Sequence, residues 1–274
     1  MSYDWPLKPF DAPHPVRAYF CDPRISDGSK AFHFGVDVSA PNGTPVFAVE
    51  AGTVHVQNPR AIAVVTGDLD LGYWHVVPAV EHLEQVAKHQ LLGHIDAPWL
   101  HVHFAERRGG EYRNPLRPGA LTPWHDDTRP TITRVVFSQN GKELPADAVH
   151  GSVDVIAEAF DTPPIPVPAP WNGLPVTPAR ISWRILRADK VVRPWHTPVD
   201  FTGTLLPKSA FSRIYAPGTR QNHAGEPGLY RFYLAHTWST PLLEDGAYKL
   251  EAQAIDLAGN TTTRSQRFTI ANNV

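Results

Sequence analysis

Three short runs carry the side chains best suited to chemistry: His33-Phe34-Gly35-Val36-Asp37, Tyr73-Trp74-His75 and His101-Val102-His103-Phe104. Imidazole nitrogens and carboxylate oxygens are natural ligands of zinc. A catalytic zinc takes about three protein ligands and keeps one position open for water. His33, Asp37 and one of the pair His101 and His103 supply that number. Such a metal lowers the pKa of its water toward about 7 and so makes a nucleophile at neutral pH. The other histidine of the pair is then a base for the water's proton, and His75 a donor to a carbonyl oxygen as it gains negative charge. Neither His-x-His nor His-x-x-x-Asp is diagnostic alone; the weight lies in their occurring together.

These residues need rigid strands to hold them. On an extended strand residues two apart face the same side, so His101 and His103 enter one cleft if Val102 enters the core. The neighbouring sequence is β-forming. Thr44–Val49, Gly52–Val56 and Ala61–Thr66 are β-branched runs, the first two separated by Glu50-Ala51. Long helical periodicity is absent; Glu81–Val86 is the best short helical candidate, with a turn between strands as the equal alternative. From Arg107 to Pro130 the chain reads as a loop, with Gly109-Gly110, Asn114-Pro115 and Pro118-Gly119 as punctuation. A boundary near residue 128 is expected, giving units 1–127 and 128–274. In the second unit Thr131–Phe137, Gly151–Phe160, Ala179–Ile185, Tyr230–Tyr233, Gly246–Asp256 and Gln266–Ile270 are strand candidates at sandwich-like spacing. The proline run Thr162–Pro170, within an insertion over 161–178, and the stretch Ala188–Pro227 read as loops. The expected fold class is therefore mainly β, an antiparallel zinc-site domain followed by a β-sandwich.

Composition narrows the function classes. Of 274 residues 42% are hydrophobic and 19% charged, and 25 Lys+Arg against 27 Asp+Glu leave a charge of −2, the balance of a chain that folds around a core. Basic residues are scattered, which excludes an electrostatic footprint for nucleic acid. No apolar stretch approaches the ~18 residues of a membrane span. The start Met1-Ser2-Tyr3-Asp4-Trp5 shows no signal peptide. Cys21 is the single cysteine and reads as a small hydrophobe. Trp74 and Trp99 are expected in the core, Arg24 is expected to be exposed or internally paired, and His14, His82, His89, His94 and His125 are expected at the surface or in structural roles.

Taken in order, His33…Asp37 followed by His101-Val102-His103, with His75 between them, resembles the lysostaphin-type (LytM-like) zinc metallopeptidases, the murein endopeptidases. The likeness covers roughly residues 13–106 and extends to Phe32–Val46, to Ala48…Ala51-Gly52-Thr53-Val54 and to Gln90–Ile95. It implies a Zn2+ cofactor held by His33, Asp37 and His103, His101 as general base and His75 as the oxyanion-stabilising histidine. It further implies bacterial peptidoglycan stem or cross-bridge peptides as substrate, a location outside the cytoplasm, and room for a regulatory or activating protein partner. Two departures stand out. The family reads His-x-His-Phe-Glu, whereas here Ala105 follows Phe104 and the acid comes one later, at Glu106; and Pro78 closes Tyr73–Val77 where a leucine is usual. The Ala105 departure supports the alternative of a degenerate, non-catalytic zinc-binding module that binds wall peptide or a protein partner. Asp256-Leu257-Ala258-Gly259-Asn260 resembles the strand and turn of bacterial immunoglobulin-like domains, which makes the second unit an adhesion or carbohydrate-binding module in a third reading.

Overall fold

The computed structural model describes residues 2–272. Every ladder between its strands is antiparallel. No helix among the described residues is long and apolar enough to cross a membrane.

The larger sheet of the first half runs, in spatial order, Val16–Ala18, Val36–Ser39, His101–Arg108, Leu69–Trp74, Ala61–Thr66, Gly52–Asn58 and Gln85–Val86. A second sheet of Pro45–Phe47, Leu91–Ile95 and Val76–Pro78 lies against it. Between them the apolar residues of alternate positions close the core: Val36, Val38, Val64, Leu71, Val102 and Phe104 are fully buried. That alternation fixes register, because a slip of one residue would turn the whole apolar set to the opposite face.

Residues 131–270 form two further four-stranded sheets, Lys142–Leu144, Thr131–Gln139, Ser152–Phe160, Arg231–Ser239 and Lys190–Asp200, Arg180–Arg187, Gly246–Ile255, Thr261–Ile270. Rings from the two sheets meet between them, Phe137 on Phe268 at 4.8 Å and Trp183 on Trp238 at 6.0 Å. The two halves also pack on one another: Phe32 contacts Phe201, Phe211 and Tyr215, and Asp22 accepts hydrogen bonds from the backbone and hydroxyl of Thr177.

The structure corrects two sequence expectations and decides a third. Ala188–Pro227 is not all loop, since Lys190–Asp200 is an 11-residue strand and Phe211–Ile214 a helical turn. Pro194 and Pro198 concealed the strand; they are tolerated because it lies at a sheet edge, where a missing N–H removes no ladder bond. The loop expected from Arg107 begins later. His101–Arg108 turns through Gly109-Gly110, both at positive φ, into Glu111–Arg113, as a two-residue hairpin requires. Of the two readings of Glu81–Val86 the structure has the turn between strands, which leads into the short strand Gln85–Val86.

Candidate metal centre

Strand pairing assembles the site. Val36–Ser39 lies beside His101–Arg108 with Asp37 opposite His103 and Ser39 opposite His101. Directly opposed residues share a face, so Asp37, His101 and His103 project together while Val36, Val38, Val102 and Phe104 fill the core behind them. His33 precedes the strand in an irregular segment. Its backbone is tied on both sides, accepting from Cys21 N at 2.8 Å and donating to Asp22 O at 2.9 Å. Gly35 permits the approach: a Cβ there would stand 2.4 Å from Phe104 O and 2.7 Å from His103 Nε2.

The donor atoms converge. His33 Nε2 lies 2.8 Å from His103 Nδ1, and Asp37 Oδ1 lies 3.1 Å from both; His101 Nε2 is 3.4 Å from the same oxygen. The outward atoms are held by other partners. His33 Nδ1 donates to Tyr19 O at 2.8 Å and His101 Nδ1 to Trp99 O at 2.7 Å, which leaves each Nε2 with a lone pair facing inward. Asp37 Oδ2 accepts from Arg24 at 3.2 Å and lies 3.7 Å from Arg17 Nε, so Oδ1 is the oxygen turned to the centre.

Burial sets the protonation states. It pushes the His33 imidazole down to about 3, helped by the Arg24 charge, and lowers His103 in the same direction. Burial alone would raise the Asp37 carboxyl, but the facing histidines His101 and His33 and the hydrogen bonds of His101 and His103 hold it well below the usual carboxylate range. Neutral imidazoles around an ionised carboxylate are the forms a metal needs.

The donor set fits zinc. A tetrahedron of ligands about 2.0–2.1 Å from zinc has edges of about 3.3–3.4 Å, close to the 2.8, 3.1 and 3.1 Å observed among His33, Asp37 and His103. Lone pairs directed at a carboxylate oxygen repel until a cation stands between them. One atom in the arrangement is unsupported: His103 Nε2 is buried with no hydrogen-bond partner. The acid displaced to position 106 does not reach it. Glu106 lies on the opposite face of the strand, fully buried, and accepts from Tyr3 and from Arg117 at 2.6 and 2.7 Å.

His75 stands at the mouth. It occupies a one-residue break between Leu69–Trp74 and Val76–Pro78 at φ 65°, a left-handed conformation more tolerable to His than to most residues, and here the chain passes from one sheet to the other. Its ring stacks on Trp99 at 3.8 Å and lies 4.6 Å from the His101 ring. Burial, with His101 beside it, takes its pKa down to about 3.

The centre opens into a cleft of about 450 Å3. Trp74 and Trp99 line it, correcting their expected place in the core; Trp99 remains 39% exposed. Arg24 is internally paired, to Asp37, as expected. His89 stacks on Phe10 and bonds Asp4, and His94 is exposed on the strand Leu91–Ile95, both outside the cleft. Sequence reasoning missed Arg17 and the far wall, to which Trp171, Gln221, Asn222 and Tyr230 contribute from the second half. Trp171 packs over the Arg17 guanidinium at 4.0 Å, and Gln221 accepts from Ile25 N at 2.6 Å. No local pattern marks these residues, since only the packing of the two halves brings them to the site.

The chain matches no family model and no curated protein. Among solved structures it is similar to a Pseudomonas aeruginosa protein provisionally described as a peptidase M23, at 22% identity and a TM-score of 0.31 over 40% of this chain and 46% of that one. It is also similar to Helicobacter pylori Csd3, at 21% identity and 0.35 over 46% and 37%, and to dimeric latent PorU from Porphyromonas gingivalis, at 12% and 0.31 over 82% and 23%. The chain spans less than half the length of each.

Proposed function

We propose that the protein is a zinc-dependent metalloendopeptidase acting on stem or cross-bridge peptides of bacterial peptidoglycan, with His33, Asp37 and His103 as metal ligands. The observation that carries the reading is the inward convergence of three ligand atoms whose outer neighbours fix their orientation. Zinc bound there supplies a Lewis acid and an acidified water at neutral pH. His101, oriented through Nδ1, offers Nε2 as the proton acceptor. His75, kept neutral and flat against Trp99, is suited to donate an N–H to the carbonyl oxygen as that atom becomes negative. His101 or His75 returns a proton to the departing amine. Arg24 and Arg17 act through Asp37, engaging Oδ2 so that Oδ1 is turned to the centre.

The same proposal takes residues 1–127 as the peptidase unit and 128–274 as an immunoglobulin-like sandwich that completes the cleft wall, and places its action in the cell envelope or outside the cell. The test is mass spectrometry of peptidoglycan after incubation with zinc-loaded protein, beside His75→Ala. New peptide termini from the unmodified protein alone are expected. The absence of cleavage with zinc confirmed in the site would refute the peptidase. A second reading, a zinc-binding module that does not cleave, is favoured by one observation, the orphaned Nε2 of His103 beside Ala105. A ligand imidazole with no outer acceptor is a weaker donor, a defect that typically costs about 10- to 100-fold in affinity or activity.

A further inference from the structure

A second group of potential metal ligands lies where the halves meet. Asp126 in the connecting segment, Asp161 after the strand Ser152–Phe160 and Asp256 after Gly246–Ile255 each offer an oxygen within 4.8 Å of the others. Their exposures are 5%, 1% and 5%, and no lysine, arginine or histidine among the described residues bridges to any of them. Three buried carboxylates without a counter-charge carry a large desolvation cost and repel one another.

Two further atoms point to what balances them. Asp161 Oδ2 is buried with no hydrogen-bond partner, although Oδ1 accepts from Thr162 N. The Tyr19 hydroxyl, from the first half, is also buried and unpartnered, yet it lines the same small cavity as the three acids. A phenol beside carboxylates that bonds none of them leaves space for a further occupant. The cavity is about 10 Å3, close to the room one water-sized sphere needs.

We propose that Asp126, Asp161 and Asp256, with the Tyr19 hydroxyl facing them, form a structural Ca2+ site that ties the connecting segment and the second half to the first. The donors are all oxygen, which selects a hard cation over zinc. The cavity has no room for several retained waters, which favours calcium over the reluctantly dehydrated Mg2+. Asp126 and Asp256 are already aligned for it: Asn260 Nδ2 donates to Asp256 Oδ2 and to the Asp126 carbonyl, holding their two segments together.

The test uses the full chain, stripped of metal, reloaded with zinc and titrated with Ca2+, Mg2+ or Tb3+. One Ca2+ per chain with Kd below about 1 mM is expected, and Tb3+ luminescence sensitised by Tyr19 and by Trp124, which also lines the cavity. Calcium at about 100 times Kd should raise the melting temperature by about 5 to 10 °C. Asp161→Asn and Asp256→Asn should abolish both responses while His103→Ala leaves them intact, and Tyr19→Phe, which keeps the ring packing, should weaken binding about ten-fold. No calcium uptake by the folded, zinc-reloaded protein would overturn the proposal and leave shared protons as the balance. Unchanged binding in Asp161→Asn or Asp256→Asn, or Mg2+ binding as tight as Ca2+, would overturn it equally.

Discussion

Gly35→Ala tests the link between backbone packing and the metal centre most sharply. The added Cβ would lie 2.4 Å from Phe104 O, 2.7 Å from His103 Nε2 and 2.9 Å from His103 Cε1. Carbon and oxygen do not sit closer than about 3.2 Å without strain, so the His33 segment and the strand His101–Arg108 must separate by about 0.8 Å. The backbone oxygen cannot swing aside as a flexible side chain would, because Phe104 is in the ladder with Val36 and Tyr73. Metal–ligand distances tolerate about 0.2 Å. The displacement therefore exceeds the tolerance about four-fold, and His33 and His103 no longer close on one ion. The expected result is a loss of zinc affinity of at least about 100-fold, read by competition with a chromophoric chelator, together with about 1–3 kcal/mol of stability from overpacking. Gly43→Ala is the control. It sits at φ +82° with nothing within 4 Å of its Cβ, so it should cost about 1 kcal/mol of turn strain and leave zinc binding unchanged. A Gly35→Ala protein that holds zinc as tightly as the parent would refute the argument, and so would equal zinc loss in Gly43→Ala.

His103→Ala should abolish zinc retention measured by elemental analysis, whereas His75→Ala should keep full zinc occupancy and lose turnover. Retained turnover in the latter would count against the oxyanion role. Glu106→Ala should cost about 3–5 kcal/mol in chemical denaturation, because it strips a buried partner from Arg117 and Tyr3, and should leave zinc stoichiometry intact since Glu106 faces away from the centre. In the calcium-free protein Asp161 has a folded pKa of about 8 against an ordinary 3.8, so the folded state binds more protons than the unfolded one between those values. Stability should then fall as pH rises from about 4 to 8, by up to about 1.4 kcal/mol per unit, with the slope removed in Asp161→Asn. A denaturation series flat across that range would contradict this.

The period of two along a strand made it legible that His101 and His103 share a face, whereas the choice of His33, Asp37 and His103 as the ligand set rested on the resemblance to lysostaphin-type peptidases, since His33 lies outside any strand. The same period places Glu106 opposite His103, so the displaced acid could have been assigned to the far face from sequence alone. Other features had no local signature. Lys190–Asp200 carries two prolines that argue against a strand unless its edge position is known. Trp74 and Trp99 have the size and hydrophobicity of core residues, and only the cleft geometry shows them lining its wall. Asp126, Asp161 and Asp256 stand far apart in the chain, and their meeting depends on how the connecting segment folds back over both halves.

The cleft is composite: its donors come from the first half, Asp37, His101 and His103 on strands and His33 just ahead of one, while Trp171, Gln221, Asn222 and Tyr230 close it from irregular segments of the second. The metal-ligating donors and the far wall are thereby entrusted to different stretches of sequence. Exchanges around residues 221–230 can reshape what enters the cleft while the donors stay in place, whereas a change at Trp171 also reaches Arg17 and, through it, Asp37.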